Sequence, residues 1–481
     1  MKRVGEIMKK EEKTRYLLKN TVIFAFSNLA TKLITLFLIP LYTFCLSTSE
    51  YGIVDLLFTL ASVIVPILTL NIVEAIYRFS MDKDADNNKI MSIGILLFIV
   101  CIISGLLFIP LFNIFPTYAK YKYYFYFYLI STAGFQIFSI NLKGQEKLKQ
   151  FSAVNILNTF LIAILNIYFL KILNYKIEGY FIAYIIANTL AMIYAIYVGK
   201  IFKNIKKFKI DKSLFKEMTK YSIVLIPTSF MWWIMKSSDR VMLTYYSGLA
   251  LNGIYAISYK IPTILQAIAT IFNQAWIFTA VKEKNSEDNE QYTNLVFENL
   301  FVVITICAAF LILIVKLFLK FFVSNEYFTA WKYVPFLLIG SLFVTLGTFL
   351  SSSYSANKDS KGFLFSGLFG ALINIILNFV LIPSFKAYGA AIATCLSYIT
   401  VFIYRYIDTQ KYVKIKINKK NIVGILLLVT LSILLYSTWK YIFIIQLCVF
   451  IILLFYYKNN LFGLFKKIFI LIKKRKDCSN E

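Results

Sequence analysis

Histidine is absent from the 481 residues, and the six cysteines form no Cys-x-x-Cys pair. Without histidine the chain lacks the side chain that most often transfers protons near neutral pH, so a proton relay would need carboxylates. The cysteine spacing indicates neither a disulfide framework nor a metal site. No G-x-x-x-x-G-K-[ST] phosphate loop and no H-E-x-x-H motif occurs. We therefore expect no metal, no cofactor and no enzymatic activity.

Acidic residues are also scarce. The chain has 24 Asp and Glu against 51 Lys and Arg, which gives a net charge of +27. Such an excess can indicate nucleic-acid binding, but here the basic residues cluster before the first apolar run, in alternate loops and in the tail. This is the positive-inside pattern of a multi-pass membrane protein. It predicts that both termini lie in the cytoplasm, and it predicts no nucleic-acid partner.

Long apolar runs are abundant, and 59% of the residues are hydrophobic. Runs of about 20 residues cross a bilayer as helices, because backbone groups in lipid must bond within the segment. We expect an all-α integral membrane protein with fourteen transmembrane helices. They lie near residues 20–43, 51–76, 90–114, 121–141, 152–172, 178–199, 221–245, 252–279, 296–319, 331–353, 363–384, 388–407, 421–438 and 441–457.

The chain also resembles itself. "ILNIYFLKILNYKIEGYFIA" (164–183) is similar to "ILNFVLIPSFKAYGAAIA" (376–393), and "YGIV" at Gly52 is similar to "NGIY" at Gly253. An even number of spans in each repeat puts the two six-helix bundles in one orientation, related by a pseudo-two-fold axis along the membrane normal. The predicted divisions are an N-terminal bundle with a basic cytoplasmic N-terminus, a cytoplasmic linker, a C-terminal bundle, and two appended helices with a basic tail: 1–199, 200–220, 221–407 and 408–481.

Charged residues occur inside several spans, where each costs roughly 2.5–3.5 kcal/mol on insertion scales. Such residues face a partner or a hydrated cavity. The cations predict a cavity that binds an anionic substrate, and they are Lys32, Arg78, Lys236, Arg240 and Lys260. The acids in these spans include Asp55, Asp239 and Glu298.

Local ion pairs are the alternative explanation for some of these charges. Glu74 precedes Arg78 by four residues, the better order for a helix pair, and Asp239 follows Lys236 by three. On this view both acids neutralise a neighbouring cation and bind nothing else.

Three segments resemble a known family. They are "NTVIFAFSNLATKLITLFLIPLY" (20–42), "SSDRVMLTYYSGLALNGIYAISYKI" (237–261) and "NIILNFVLIPSFKAYGAAIATCLSY" (374–398). All three are similar to the Wzx-like polysaccharide flippases of the multidrug/oligosaccharidyl-lipid/polysaccharide exporter superfamily. The resemblance covers about residues 15–410 and fits the fourteen-span layout.

The resemblance implies a V-shaped pair of bundles in the bacterial inner membrane. It implies a flippase that moves undecaprenyl-diphosphate-linked oligosaccharide repeat units to the outer leaflet for capsule or O-antigen assembly. Alternating access through the cationic cavity would be the mechanism. Coupling to a sodium or proton gradient, or to membrane potential, is left open, and the candidates for ion coupling are Asp55, Asp239 and Glu298. A polysaccharide polymerase is a candidate partner.

Three alternatives stay open at this point. One is a cation-coupled multidrug exporter of the same fold, which would favour buried acids. Another is a flippase of a different lipid-linked cell-wall precursor. The third is a membrane-embedded glycan polymerase or ligase, against which the short, histidine-free outer loops argue.

Overall fold

A computed structural model describes residues 27–82, 84–201, 210–282 and 286–463 of the chain. These residues form helices and connecting turns, with no strand among them. The predicted basic N-terminal segment and the basic tail lie outside the described residues, as does the centre of the predicted linker. The helices are α1 (Ser27–Cys45), α2 (Thr48–Leu68), α3 (Ile72–Ser80), α4 (Asn87–Phe108), α5 (Lys122–Gly144), α6 (Leu148–Asn166), α7 (Lys176–Gly199), α8 (Lys212–Ser247), α9 (Leu249–Lys282), α10 (Asn289–Phe322), α11 (Val334–Asn357), α12 (Ser360–Thr409), α13 (Lys419–Leu434) and α14 (Ile442–Tyr456).

Within these ranges, ten helices are long and apolar enough to cross a membrane. One of them, α12, covers two predicted spans and is broken at Lys386, where φ is +51°. The predicted count of fourteen spans stays a prediction, because α8 is rich in charged residues and α13 and α14 are shorter. The all-helical membrane architecture itself is confirmed.

The described helices form two compact units. The first contains α1 to α8, the beginning of α9 as far as Ile257, and residues Phe322–Tyr327. The second contains the rest of α9 from Ser258, α10 to Phe321, and the described residues from Phe328 onward. The predicted domain boundaries at 199 and 221 follow from the sequence repeat and stay a prediction.

In the first unit, α5 packs against α7 and α3, α6 packs against α7, and α8 lies along α2 and α3. Aromatic side chains fill the space between α2, α5 and α7. The Phe58 ring stacks on Tyr128 with 4.0 Å between centroids, and Tyr180 stacks on Tyr184. In the second unit, α11 packs along α12 and α13 along α14.

The start of α2 is fixed by several contacts. The Ser47 hydroxyl accepts a hydrogen bond from Glu50 N, and the Glu50 carboxylate accepts one from Ser47 N, which forms a capping box. The Tyr327 hydroxyl donates to Ser47 O at 2.8 Å. A Cβ atom on Gly52 would lie 2.0 Å from Leu249 O, so the first turns of α2 and α9 meet at a distance that only glycine permits.

The sequence repeat has a counterpart in the backbone. Lys176 and Lys386 both adopt left-handed φ values, +47° and +51°, and each stands three residues before a glycine. Those glycines, Gly179 and Gly389, pack against the end of the preceding span, Gly389 against the backbone of Leu381. Each unit by itself therefore repeats the same local turn. The pseudo-two-fold axis stays a prediction.

Candidate functional site

Two lysines that the sequence assigns to the substrate site are exposed in the first unit, Lys32 on α1 and Lys236 on α8. Their ammonium groups lie within electrostatic range of each other. Among the residues that the structure describes, neither lysine forms an ion pair. An unpaired charge inside a membrane span is costly against acyl chains, so such side chains face a partner or water. The two lysines define one side of the first unit. We call it the lysine face.

Polar side chains next to Lys32 support this assignment. Thr31 and Thr35 lie three and seven residues after Asn28, which places all three on one side of α1 with Lys32. The Thr31 hydroxyl donates to Asn28 O at 3.0 Å. Their shared side of α1 is therefore polar through about two turns, as a water-lined helix requires.

The α8 helix is anchored to α2 beside the lysine face. The Trp233 indole N–H donates to Thr59 O and to the Ser62 hydroxyl, both at 3.0 Å. Its neighbour Trp232 is half-buried and belongs to the same side of α8 as Lys236, whose ammonium lies 5.7 Å from the Trp232 ring centroid. Adjacent tryptophans thus have different surroundings, one against α2 and the other beside the lysine.

Arg240 forms the second anchor between α8 and α2. Its Nη1 atom lies 3.0 Å from Asp55 Oδ1 and 3.3 Å from the Thr59 hydroxyl. The side chains of Arg240 and Asp55 are 19% and 8% exposed, so this is a largely buried ion pair. The predicted substrate role of Arg240 and coupling role of Asp55 stay predictions, but each charge already has a protein partner.

Asp239 is buried at 1% exposure, one turn after the exposed Lys236. Its Oδ2 atom accepts a hydrogen bond from the Tyr255 hydroxyl at 2.7 Å, and its Oδ1 atom accepts one from Arg240 N. The expected local pair between Asp239 and Lys236 is wrong, because the two described side chains form no ion pair. The carboxylate turns instead toward α9.

The expected pair between Glu74 and Arg78 is also wrong. Arg78 forms its ion pair with Asp82, one turn further along, with 2.5 Å between Nη1 and Oδ1. Both side chains are more than half exposed at the end of α3. The helix order favoured Glu74, but α3 ends at Ser80 and leaves Arg78 free to turn toward the loop.

The remaining two candidates belong to the second unit. Lys260 is half-buried on α9. Glu298 lies on α10, and its Oε1 atom accepts a hydrogen bond from Asn460 Nδ2 at 3.0 Å. The structure thus brings together Lys32, Lys236, Arg240, Asp55 and Asp239 in one unit.

A comparison with known families shows which family the chain belongs to. Residues 17–279 match the family described as "Polysaccharide biosynthesis protein". The chain belongs to this family. The match covers α1 through most of α9, and therefore the whole lysine face. It confirms the resemblance to the Wzx-like flippases.

The relatives of this chain match it over part of its length. Over 322 residues it is 24% identical to the "Uncharacterized membrane protein MJ1068" of Methanocaldococcus jannaschii, with 63% of this chain and 61% of that protein covered. Over 239 residues it is 28% identical to the "Probable low-salt glycan biosynthesis flippase Agl15" of Haloferax volcanii, with 47% and 48% covered. The chain therefore spans less than two thirds of each of these relatives.

Solved structures share the fold of this chain. The lipid II flippase MurJ, in an inward closed conformation, matches with a TM-score of 0.66 at 16% identity over 92% of this chain and 99% of MurJ. An inward-facing multidrug resistance MATE family transporter matches with a TM-score of 0.63 at 13% identity over 80% and 93%. The chain therefore shares its fold with both of these proteins.

Sequence reasoning missed the partners of the charged residues. Thr59, Ser62 and Tyr255 all contact a predicted site residue or its neighbour, yet none carries charge. One signal was available for Thr59, because it lies one helical turn after Asp55 and so shares its side of α2. The contact of Tyr255 with Asp239 joins different helices and has no signature in sequence spacing.

Proposed function

We propose that this polysaccharide biosynthesis protein is a flippase for undecaprenyl-diphosphate-linked oligosaccharides at the bacterial plasma membrane. The repeat units would serve surface polysaccharide assembly, as capsule or O-antigen. The observation that carries the proposal is the lysine face, where the first unit has two exposed ammonium groups with no ion pair among the described residues.

The lysine face suits a diphosphate for electrostatic reasons. Lys32 and Lys236 repel each other, and an anion placed beside both relieves that repulsion while replacing part of its own water shell. Lysine contacts phosphate as a point charge with three rotatable donors, so it tolerates the shifting orientation of a moving head group. The polyprenyl chain needs no protein partner, because it can stay in the lipid during transfer.

A drug-exporter function would require a different site. Cationic drugs bind to available carboxylates, whereas Asp55 and Asp239 are buried and engaged with Arg240 and Tyr255. The exposed charges of the first unit near these acids are positive. The multidrug alternative therefore has less support from the charges of the site, although members of both functional classes share the fold.

A proteoliposome experiment tests the proposal. The purified full chain is reconstituted, and undecaprenyl-diphosphate-linked oligosaccharide is supplied on one leaflet. We expect the glycan to become accessible to an impermeant glycosidase on the other side, faster than in protein-free vesicles. Lipid II and the cationic dye ethidium serve as competing cargoes. Faster movement of lipid II would identify another cell-wall precursor as the substrate. Movement of ethidium alone would identify the chain as a drug exporter.

A further inference from the structure

We propose that Trp232 forms a sugar subsite, in which its ring packs against the first saccharide of the head group while Lys236 holds the adjacent phosphate. This inference rests on the proposed function and adds the class of ligand group recognised beside the phosphate. It concerns recognition of the hexose ring itself, which the charge of the lysines does not provide.

The spacing on α8 places the two side chains together. Trp232 and Lys236 are four residues apart and therefore lie one above the other on the same side of the helix. The ammonium lies 5.7 Å from the ring centroid, so the ring is directed toward the lysine face. A ligand group bound at the lysine is within reach of the tryptophan.

The chemistry of the head group imposes the same arrangement. In a lipid-linked oligosaccharide, the first sugar is bonded directly to the diphosphate through one oxygen atom. A phosphate held by Lys236 therefore fixes the first sugar next to it. The apolar C–H face of a hexose can pack on a flat aromatic ring while its hydroxyl groups stay hydrated, since the contact is made by dispersion.

The Trp232 segment is well positioned to hold a rigid ring. Trp233 is anchored by two hydrogen bonds to α2, and the Phe230 ring lies nearly parallel to it, with an interplanar angle of 11° and centroids 5.8 Å apart. The backbone of the turn that carries Trp232 is therefore anchored on both sides. Only the side-chain torsions of Trp232 remain to be fixed by a ligand, which limits the entropy lost on binding.

Membrane anchoring is a weaker explanation for Trp232. Anchoring tryptophans lie at the two interfaces, near the ends of a span. Trp232 lies well inside α8, which runs from Lys212 to Ser247. Trp439, by contrast, is 60% exposed in the turn between α13 and α14, where an interfacial role is expected.

A binding experiment isolates the sugar contribution. The full chain in nanodiscs is titrated with undecaprenyl diphosphate and with undecaprenyl diphosphate N-acetylglucosamine, and the ratio of the two Kd values is measured. In the wild-type chain we expect the sugar to tighten binding by about three- to tenfold, the size of one aromatic contact. Trp232→Leu should reduce this ratio to about one and leave binding of the bare diphosphate unchanged. Trp439→Leu should change neither value.

The outcomes separate the two proposals. If the wild-type chain binds neither lipid, the proposed flippase function is overturned. If it binds both and Trp232→Leu keeps the full ratio, the sugar subsite is overturned while the function stands. Should Trp232→Leu fail to fold, Trp232→Met and Trp232→Phe replace it. Phe keeps a flat ring and should retain most of the ratio, whereas Met should lose it, and equal ratios in the two variants would overturn the subsite.

Discussion

Two cations four residues apart on α8 have opposite surroundings. Lys236 is exposed on the lysine face and has no ion pair among the described residues. Arg240, one turn later, is largely buried against Asp55 and Thr59. The sequence places both inside one span and assigns both to substrate binding. The structure separates a charge that holds two helices together from a charge that remains available.

The difference follows from the chemistry of the two side chains. The guanidinium presents several donors in a planar fork, so Arg240 can bind a carboxylate and a hydroxyl on α2 at once. The lysine ammonium is a compact, strongly hydrated charge that favours water or a mobile anion. Arginine is rare in this chain, with six copies, and Arg240 is one of those used for a helix contact. A buried charge therefore marks a functional residue only after its partner is known.

Removal of one partner of the buried pair should have the largest effect. Arg240→Ala leaves Asp55 without its counter-ion, and loss of one member of such a pair costs about 3–5 kcal/mol. We expect a lower thermal midpoint in detergent and less protein in the membrane. Thermal unfolding followed by tryptophan fluorescence measures this directly.

The paired control is the double variant Asp55→Leu/Arg240→Met. Apolar residues of similar size remove both charges together, so stability should return in large part. If Arg240→Ala were as stable as the wild-type chain, the ion pair would have no structural role, and the predicted substrate role of Arg240 would become the better explanation.

Removing the charges of the lysine face should impair transport without lowering thermal stability. Charge-assisted contacts contribute about 1.5–3 kcal/mol. Lys236→Gln should therefore weaken binding of undecaprenyl diphosphate by about 10- to 100-fold, and Lys32→Gln should behave similarly. The thermal midpoint should stay constant or rise, because mutual repulsion is removed. Lys440→Gln, outside this face, is the matched control. Unchanged binding in the Lys32→Gln/Lys236→Gln variant would refute the proposed site.

Arg78→Gln should have a small effect on both thermal stability and lipid binding. Its partner Asp82 and its own side chain are solvent-exposed, and exposed ion pairs contribute little. We expect a thermal midpoint equal to that of the wild-type chain and a smaller loss of lipid binding than in Lys236→Gln. The two variants are compared in one titration. An equal loss in both would restore Arg78 to the substrate site predicted from sequence.

The smallest effect is expected from a carboxylate outside the spans. Asp359 accepts hydrogen bonds from Gly362 N and the Tyr412 hydroxyl, and it pairs with Lys411. These contacts, the backbone bond first, lower the pKa of Asp359 to about 2. A lowered pKa adds stability that is complete above about pH 4, the unfolded value, and is lost as the pH falls through about 2.

The variant Asp359→Asn tests the direction of this pH dependence of stability. Its thermal midpoint should lie slightly below that of the wild-type chain at pH 7, and the gap should be unchanged at pH 5. Below pH 4 the gap should narrow. A gap that widened on acidification would contradict the lowered pKa.

The helices and the repeat could be predicted from the sequence, because hydrophobic run length and residue spacing are local properties. The similarity of the segments around Gly179 and Gly389 reappears as a shared turn with a left-handed lysine before each glycine. The family was likewise apparent from segments along the chain.

The partners of the charges could not be predicted, because they lie on other helices. Spacing suggested Glu74 for Arg78 and Lys236 for Asp239, since only neighbours along one helix are visible in sequence. The structure instead pairs Arg240 with Asp55 across 185 positions. Such a contact depends on how α2 and α8 pack, which no local pattern contains.

The two contacts between α2 and α8 have a mechanical consequence. Ser62 follows Asp55 by seven residues, and Arg240 follows Trp233 by the same interval, so the fixed points stand about 10 Å apart on antiparallel helices. One contact would allow α8 to pivot, but two prevent both sliding and rolling. Any displacement that keeps both contacts must carry α2 and α8 together as one rigid body. The backbone at Lys236 therefore cannot approach or leave a ligand by itself, and its position reports the movement of the pair.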